Sequence, residues 1–346
     1  MTRNETIGEH LMRLRGTTAI LGLTALMVAA LTTGGPSRPA ATRTTTAASV
    51  PTAPSPVLAA DTAPGSDPSC KASKYPPKKD PYGPTIKAIQ ARGTINIGVD
   101  LNDYDWGFLG PDGATPQGFD IDLANAIVAS LGNPKVRWVA LDDAQRQPRL
   151  KATGDQRVDL VVHTMTITCK RSQDVAMSTV YFEAGQRVLM PVAQTKQGES
   201  GPDAMKGGRV CVAAGSTAET LLEPDTALPA PQQKYKVAKL DKQDQELDCL
   251  VQLQLGNDDA ILTDDAIAYG LAAQDPQTTV VGDQLSDEPY GVAISPSEPD
   301  LASWVNQVLE DYRKSGAWRQ SYDHWIKPNV PGHPEMQPPT AQYANP

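Results

Sequence analysis

Between Thr94 and Leu262 the chain alternates short strand-like runs with helix-like ones, and the alternation starts twice. Thr94-Ile95-Asn96-Ile97-Gly98-Val99 places an apolar residue at every second position, the period of a half-buried strand. A helix-like run follows from Phe119 to Leu131, then strand-like Val136 to Leu141, helix-like Pro148 to Thr153, and Val158 to Val162, a run of the buried-strand type. Strands and helices in alternation predict parallel sheets covered by helices. The pattern restarts at Gly208-Arg209-Val210-Cys211-Val212, continues through helix-like Thr217 to Leu222 and reaches Ala260-Ile261-Leu262. A chain of 346 residues has room for two such lobes. From Ser303 to Trp325 the chain reads as an amphipathic helix, with Trp304, Val305, Val308, Leu309 and Tyr312 at core spacing.

The ends differ in character from this core. Arg13 and Arg15 precede an apolar stretch from Thr17 to about Leu31, the order of a secretory signal or signal anchor over residues 1–33. Residues 34–84 are rich in Pro, Thr, Ala and Ser and hold 11 of the chain's 30 prolines. Such a segment buries too little apolar surface to offset its ordering entropy, so a flexible tether is expected. Residues 328–346 share that composition and are expected to form a disordered tail. A net charge of −9 argues against nucleic acid as a partner. Four cysteines in an exported chain predict two disulfides, with three possible connectivities. Their spacing fits no zinc motif, and neither a metal nor an organic cofactor is expected.

Gly118-Phe119-Asp120-Ile121-Asp122-Leu123 opens the first long helix. Gly118 allows a tight turn, and Asp120 and Asp122 fall where carboxylates complement the exposed N–H groups and the helix dipole. This segment resembles the signature of extracellular solute-binding proteins of the polar amino-acid class, the two-lobed receptors of ABC importers. The resemblance runs from about Gly93 to Trp325. It implies a periplasmic-binding-protein-like α/β fold whose chain crosses between lobes twice, near Tyr181 to Met190 and Glu288 to Ala293. Lobe 1 would then hold residues 85–187 and 289–327, and lobe 2 residues 188–288. That partition pairs Cys211 with Cys249 inside lobe 2, and leaves Cys70 and Cys169 to pin the tether's end to lobe 1. Many relatives carry a lipid-bearing cysteine after the signal. Here Leu31-Thr32-Thr33-Gly34-Gly35 stands in its place, so an extracytoplasmic protein, secreted or held by its N-terminal segment, is expected without that lipid.

The resemblance also implies a ligand site. Thr164-Met165-Thr166-Ile167-Thr168-Cys169-Lys170-Arg171 is similar to the family's carboxylate-binding loop, which makes Arg171 the bidentate partner of an amino acid's α-carboxylate. Ala214-Gly215-Ser216-Thr217 would meet the same carboxylate from lobe 2 with backbone N–H groups of Ser216 and Thr217. Asp264, with the Thr166 hydroxyl and Thr164 carbonyl, would hold the α-ammonium, while Asp265 would cap a helix. Asp100 and Trp106 follow the first strand, where relatives place an aromatic over the ligand. Arg146 lies where receptors for acidic amino acids place a cation, which favours glutamate or aspartate, with their amides as the alternative. Asp100 opposes that preference. His163 and Arg187 are secondary candidates.

Two rival readings differ in class. A sensory receptor would signal to a membrane protein instead of delivering to an ABC permease. A catalytic member of the fold, a dehydratase or transglycosylase, would need an acid or base in the cleft, and Glu183 near the first crossing is the glutamate to consider. Phe182-Glu183-Ala184-Gly185 reads better as hinge, so no enzymatic activity is expected.

Overall fold

The structure, a computed structural model, describes residues 70–78, 83–223, 235 and 237–344. The expected signal and most of the expected tether lie outside the described residues. Among those described, no helix is long and apolar enough to cross a membrane.

In lobe 1 the chain forms α1 (Pro84–Arg92), β1 (Thr94–Val99), a small sheet of β2 (Asn102–Asp103), β3 (Gly107–Leu109) and β4 (Pro116–Gln117), then α2 (Phe119–Ser130), β5 (Lys135–Ala140), α3 (Arg146–Lys151), β6 (Leu160–Val161), α4 (Cys169–Asp174) and β7 (Ala176–Met177). The long strand β8 (Phe182–Pro191) leads into lobe 2: α5 (Gly201–Met205), β9 (Arg209–Ala213), α6 (Thr217–Leu222), β10 (Lys239–Gln243), α7 (Glu246–Gln254), β11 (Ala260–Asp264), α8 (Asp265–Gln274) and β12 (Thr278–Val281). β13 (Asp287–Tyr290) returns to lobe 1, which closes with β14 (Ala293–Ile294), α9 (Pro299–Lys314) and α10 (Ala317–Ser321).

The first sheet has the order β5-β1-β6-β14-β7, parallel at β5-β1-β6 and antiparallel around β14. The second runs β10-β9-β11-β8-β12, parallel at β10-β9-β11 and antiparallel around β8. β8 belongs to both the connection and lobe 2, since its first half pairs with β13 (Glu183 with Pro289) and its second half with β11 and β12. Two adjacent antiparallel strands therefore carry the chain between lobes, a geometry that bends without unpairing either sheet.

Gly118 is fixed by its neighbours. Its φ is 126°, and a Cβ there would stand 2.2 Å from the Trp106 carbonyl oxygen. The two acids that follow do not cap α2 through their side chains. Asp120 accepts from the Thr164 N–H and the Tyr181 hydroxyl, both at 2.8 Å, and Asp122 accepts from Ser321 and the Trp325 indole. They anchor other segments to the helix instead of finishing its first turn.

Three further expectations need correction. The run Ser303 to Trp325 is broken after α9 by Gly316, whose φ of 83° a helix does not accommodate. The tail beyond residue 327 is packed as far as residue 344: Tyr343 donates to Glu310 at 3.0 Å, the Tyr322 hydroxyl to the Pro334 carbonyl at 2.8 Å, and Arg319 pairs with Glu335 at 2.8 Å. The end of the expected tether is ordered as well. Ser73 forms a short parallel bridge with Tyr343 of the tail, and Asn306 of α9 donates to Ser73 and to the Tyr75 carbonyl. Backbone and polar bonds hold both segments, so neither showed an apolar period.

Both disulfides are closed: Cys70–Cys169 with Cα atoms 5.2 Å apart, and Cys211–Cys249 at 5.6 Å. Mass spectrometry of a non-reduced digest should return these two linked peptide pairs, and a Cys169–Cys211 peptide would contradict the fold described.

Candidate ligand-binding site

The cleft between the lobes is walled by the loops that follow β5, β6, β9, β10 and β11, the carboxyl ends where open α/β sheets bind ligands. Its lining includes Asp143, Arg146, Thr164, Thr166 and Arg171 from lobe 1, Gln186 from the crossing, and Ser216, Thr217, Glu246, Thr263 and Asp264 from lobe 2. The lobes are closed on one another, and the space left is about 10 Å³, room for about one water. An amino acid enters only if they part.

Thr164 turns the chain after β6 with φ of 40°, a left-handed conformation that a β-branched residue adopts at a cost of about 1–3 kcal/mol. The Asp120 carboxylate holds it there through the Thr164 N–H. The turn delivers Thr166 and then α4, whose N-cap Thr168 accepts from the Arg171 N–H at 3.1 Å. The Arg171 guanidinium is buried and splits its donors between the lobes: one nitrogen bonds the Thr166 carbonyl and the other the Gly215 carbonyl, both at 3.0 Å. Burial, and then repulsion from Arg146, bring its pKa down to about 10, so it remains a cation at neutral pH.

Lobe 2 answers with Asp264, buried at the end of β11, whose carboxylate accepts from the Tyr290 hydroxyl at 2.6 Å. Burial first, and then the neighbouring Glu288, hold its pKa well above the usual carboxylate range. A cation arriving beside it would relieve both effects. Asp265 accepts from the Gly185 N–H of the crossing strand at 3.1 Å, so it ties α8 to the hinge. Ser216 caps α6 by accepting from the Glu219 N–H at 3.1 Å. Thr217 accepts from Gln186 and donates to Glu288, both at 2.9 Å.

Arg171, Thr164, Thr166, Asp264, Ser216, Thr217 and Arg146 thus converge on one cleft. Trp106 and Asp100 do not line it. Trp106 has no exposed surface. It packs edge-on against Phe182 and Tyr290 of the crossing strands, and its indole N–H donates to the Ala266 carbonyl of lobe 2 at 3.2 Å. A large apolar ring beside the hinge is sequestered by burial, so it is a core residue. Asp100 is buried behind the cleft, where it accepts from the Asp103 N–H at 3.0 Å and contacts His163 Nε2 at 2.6 Å. Arg187 points away, donating to the Tyr269 hydroxyl. Arg146 lines the cleft, but its guanidinium pairs with Asp143 at 2.7 Å and donates to the His163 and Asp143 carbonyls at 3.0 and 3.1 Å. The guanidinium of Arg146 is thus engaged within lobe 1.

Asp143, Gln186, Glu246 and Glu288 escaped sequence reasoning. Gln186 and Glu288 were findable as buried polar residues on the crossing strands. Glu246 carried no signal beyond standing at a helix start.

Gly215 sets how closely the lobes meet. Its φ is 86°, and a Cβ would lie 2.6 Å from the Ala144 Cα of lobe 1. Gly215→Ala should therefore leave each lobe folded and penalise closure by about 1–3 kcal/mol, the range of overpacking. Calorimetry showing undiminished affinity would mean that ligand is held without this contact.

Residues 95–328 match the family of bacterial extracellular solute-binding proteins, family 3. The chain belongs to that family. It is 32% identical over 259 residues to the ABC transporter glutamine-binding protein GlnH of Bacillus subtilis, covering 74% of this chain and 90% of that one. It is 28% identical to the L-glutamate/L-aspartate-binding protein of Pseudomonas aeruginosa, over 71% of this chain and 81% of that one. Among solved structures it is similar to an ancestral arginine-binding protein bound to glutamine, with a TM-score of 0.60, 32% identity, and coverage of 68% of this chain and 98% of the other. As a member of this family it is a solute-binding receptor of the polar amino-acid type.

Proposed function

We propose that the protein captures a polar amino acid between its lobes outside the cytoplasm and delivers it to an ABC importer. The observation that carries this reading is the division of charge across the cleft. Arg171 of lobe 1 supplies a fork for an α-carboxylate, and Asp264 of lobe 2 supplies a carboxylate for an α-ammonium. Neither lobe alone satisfies both charges of the zwitterion, so ligand stabilises the closed arrangement over the open one, as a population shift requires. The named relatives that bind glutamine, or glutamate and aspartate, support the substrate class. Glu183 supplies no acid for chemistry on a bound ligand, being half-exposed and 3.9 Å from Lys71 on the hinge strand. Binding without turnover is therefore our reading.

A thermal-shift screen of the twenty amino acids tests this function, followed by small-angle scattering with the best binder. A smaller radius of gyration at saturation is the expected result, and an unchanged profile at proven saturation would rule out closure around the ligand.

Closure also carries a pH dependence. It brings Glu246 of lobe 2 against the carboxylates of lobe 1. Burial, followed by repulsion from Asp143 and Asp100, raises the Glu246 pKa well above its ordinary 4.5. Asp103 is raised in the same way, by burial and then Asp100 and Glu246. Carboxyls whose pKa rises on closing take up protons as the cleft shuts, so closure is favoured at low pH and loses stability as pH climbs above about 4.5. The population of the closed, ligand-free form, followed by small-angle scattering, is expected to fall as pH rises above about 4.5. A closed population that rises with pH would show that these carboxyls do not change environment on closure.

A further inference from the structure

The grip on the α-carboxylate and α-ammonium uses Arg171 and Asp264, and leaves a second set of charges at the cleft wall unassigned. Glu246 opens α7 in lobe 2, lines the cleft and is 4% exposed. Across from it, on the segment entering α3, stand Asp143 and Arg146, paired at 2.7 Å. Behind them Asp100 and Asp103 follow β1, with His163 held between Asp100 at 2.6 Å and Asp143 at 3.6 Å. Those are the groups that Glu246 meets from lobe 1: the Asp143–Arg146 pair, with Asp100, Asp103 and His163 behind it. With Arg171 and Asp264 taken up by the zwitterion, a ligand's side chain meets Glu246 beside an arginine already engaged within lobe 1. The Arg146 donors are committed to Asp143 and to two backbone carbonyls, while Glu246 has no lysine or arginine ion-paired with it among the described residues.

We propose that Glu246, facing the Asp143–Arg146 pair, is a specificity-determining residue that selects amino acids whose side chain ends in N–H donors, a carboxamide or a cation, over those ending in a carboxylate. The proposal rests on the receptor reading above and names its substrate class. A side-chain carboxylate entering this water-shielded end would meet another carboxylate with no free cation to receive it, the arrangement most costly in a low-dielectric site. A carboxamide or cation instead supplies the donor that a buried carboxylate lacks. Burial and the neighbouring acids make the ionised form of Glu246 costly in the closed cleft, a cost that an N–H donated by the ligand's side chain offsets. Discrimination then arises from repulsion of the wrong ligand as much as from attraction of the right one.

Calorimetric titration of the whole folded protein with glutamine, asparagine, arginine, lysine, glutamate and aspartate tests the proposal on wild type and on the isosteric Glu246→Gln. The wild type should bind amides or basic amino acids at least on the order of tenfold more tightly than the acids. The variant should narrow that gap mainly by gaining affinity for glutamate or aspartate. Acids binding more tightly than the others to wild type would overturn the proposal and leave the receptor reading intact. So would a variant that weakens every ligand by the same factor. If none of the twenty amino acids binds wild type, the receptor reading fails and this inference falls with it. Should Glu246→Gln fail to fold by circular dichroism, the wild-type ranking decides alone.

Discussion

Replacing Arg171 with alanine is expected to weaken amino-acid binding by about 3–5 kcal/mol, a few hundred- to a few thousand-fold, because it strips the partner from a carboxylate buried in a closed cleft. The structure adds a second source of loss. The same guanidinium joins the Thr166 carbonyl of lobe 1 to the Gly215 carbonyl of lobe 2, so its removal also deletes a bond that exists only when the lobes are shut. Arg171→Lys should fall between, at about 2–4 kcal/mol, since one ammonium keeps the charge but cannot reproduce two parallel hydrogen bonds. Calorimetry on variants with wild-type circular dichroism measures both. Full affinity in Arg171→Ala would remove this residue from the site.

Loss of the Cys70–Cys169 bridge, as the double serine variant, is expected to cost about 4 kcal/mol of unfolding free energy, because the bond closes a sequence separation of 99 residues. The bridge sits at a junction. Cys169 begins α4, and Lys71, next to Cys70, lies 3.9 Å from both Glu183 of β8 and Asp287 of β13. The N-terminal approach to lobe 1 is thereby fastened beside both crossings. Urea unfolding should show a lower midpoint with little change in affinity, because Thr166 and Thr168 hold Arg171 independently of the bridge. An unchanged midpoint would mean that the polar bonds of Ser73 and Asn306 already fix the segment without it.

Much of the fold was legible because it depends on period. Ile95, Ile97 and Val99 alternate because one face of β1 is buried, and the restart at Arg209 marks a second sheet because a new strand set needs its own helices. The loop Thr164 to Arg171 was legible through its resemblance to the family's carboxylate-binding loop, and the fold brings Thr164, Thr166 and Arg171 to one cleft. Only the folded chain revealed that Asp120 holds the Thr164 turn, since that contact spans 44 residues and leaves no local pattern.

The errors share one physical cause. Trp106, Asp100 and Arg146 stand where the family resemblance implies ligand contacts, and such a position tells where a backbone goes, not what its side chain meets. Trp106 turned inward because aromatics from both crossing strands made a dry place for it. Arg146 was claimed by Asp143, three residues earlier, before any ligand could claim it. The packed tail and the ordered end of the tether stayed hidden because hydrogen bonds to distant partners, unlike apolar faces, impose no repeat on a sequence. The sequence by itself determined two α/β lobes, because burial and backbone period are written locally, while Arg171 and Asp264 were legible only through the family resemblance. The charge balance at the far end of the cleft was decided only by tertiary structure, which brings Glu246 of one lobe against Asp143 and Arg146 of the other. Electrostatics in a closed cavity is set by distance across the cleft, and no spacing along the chain encodes it.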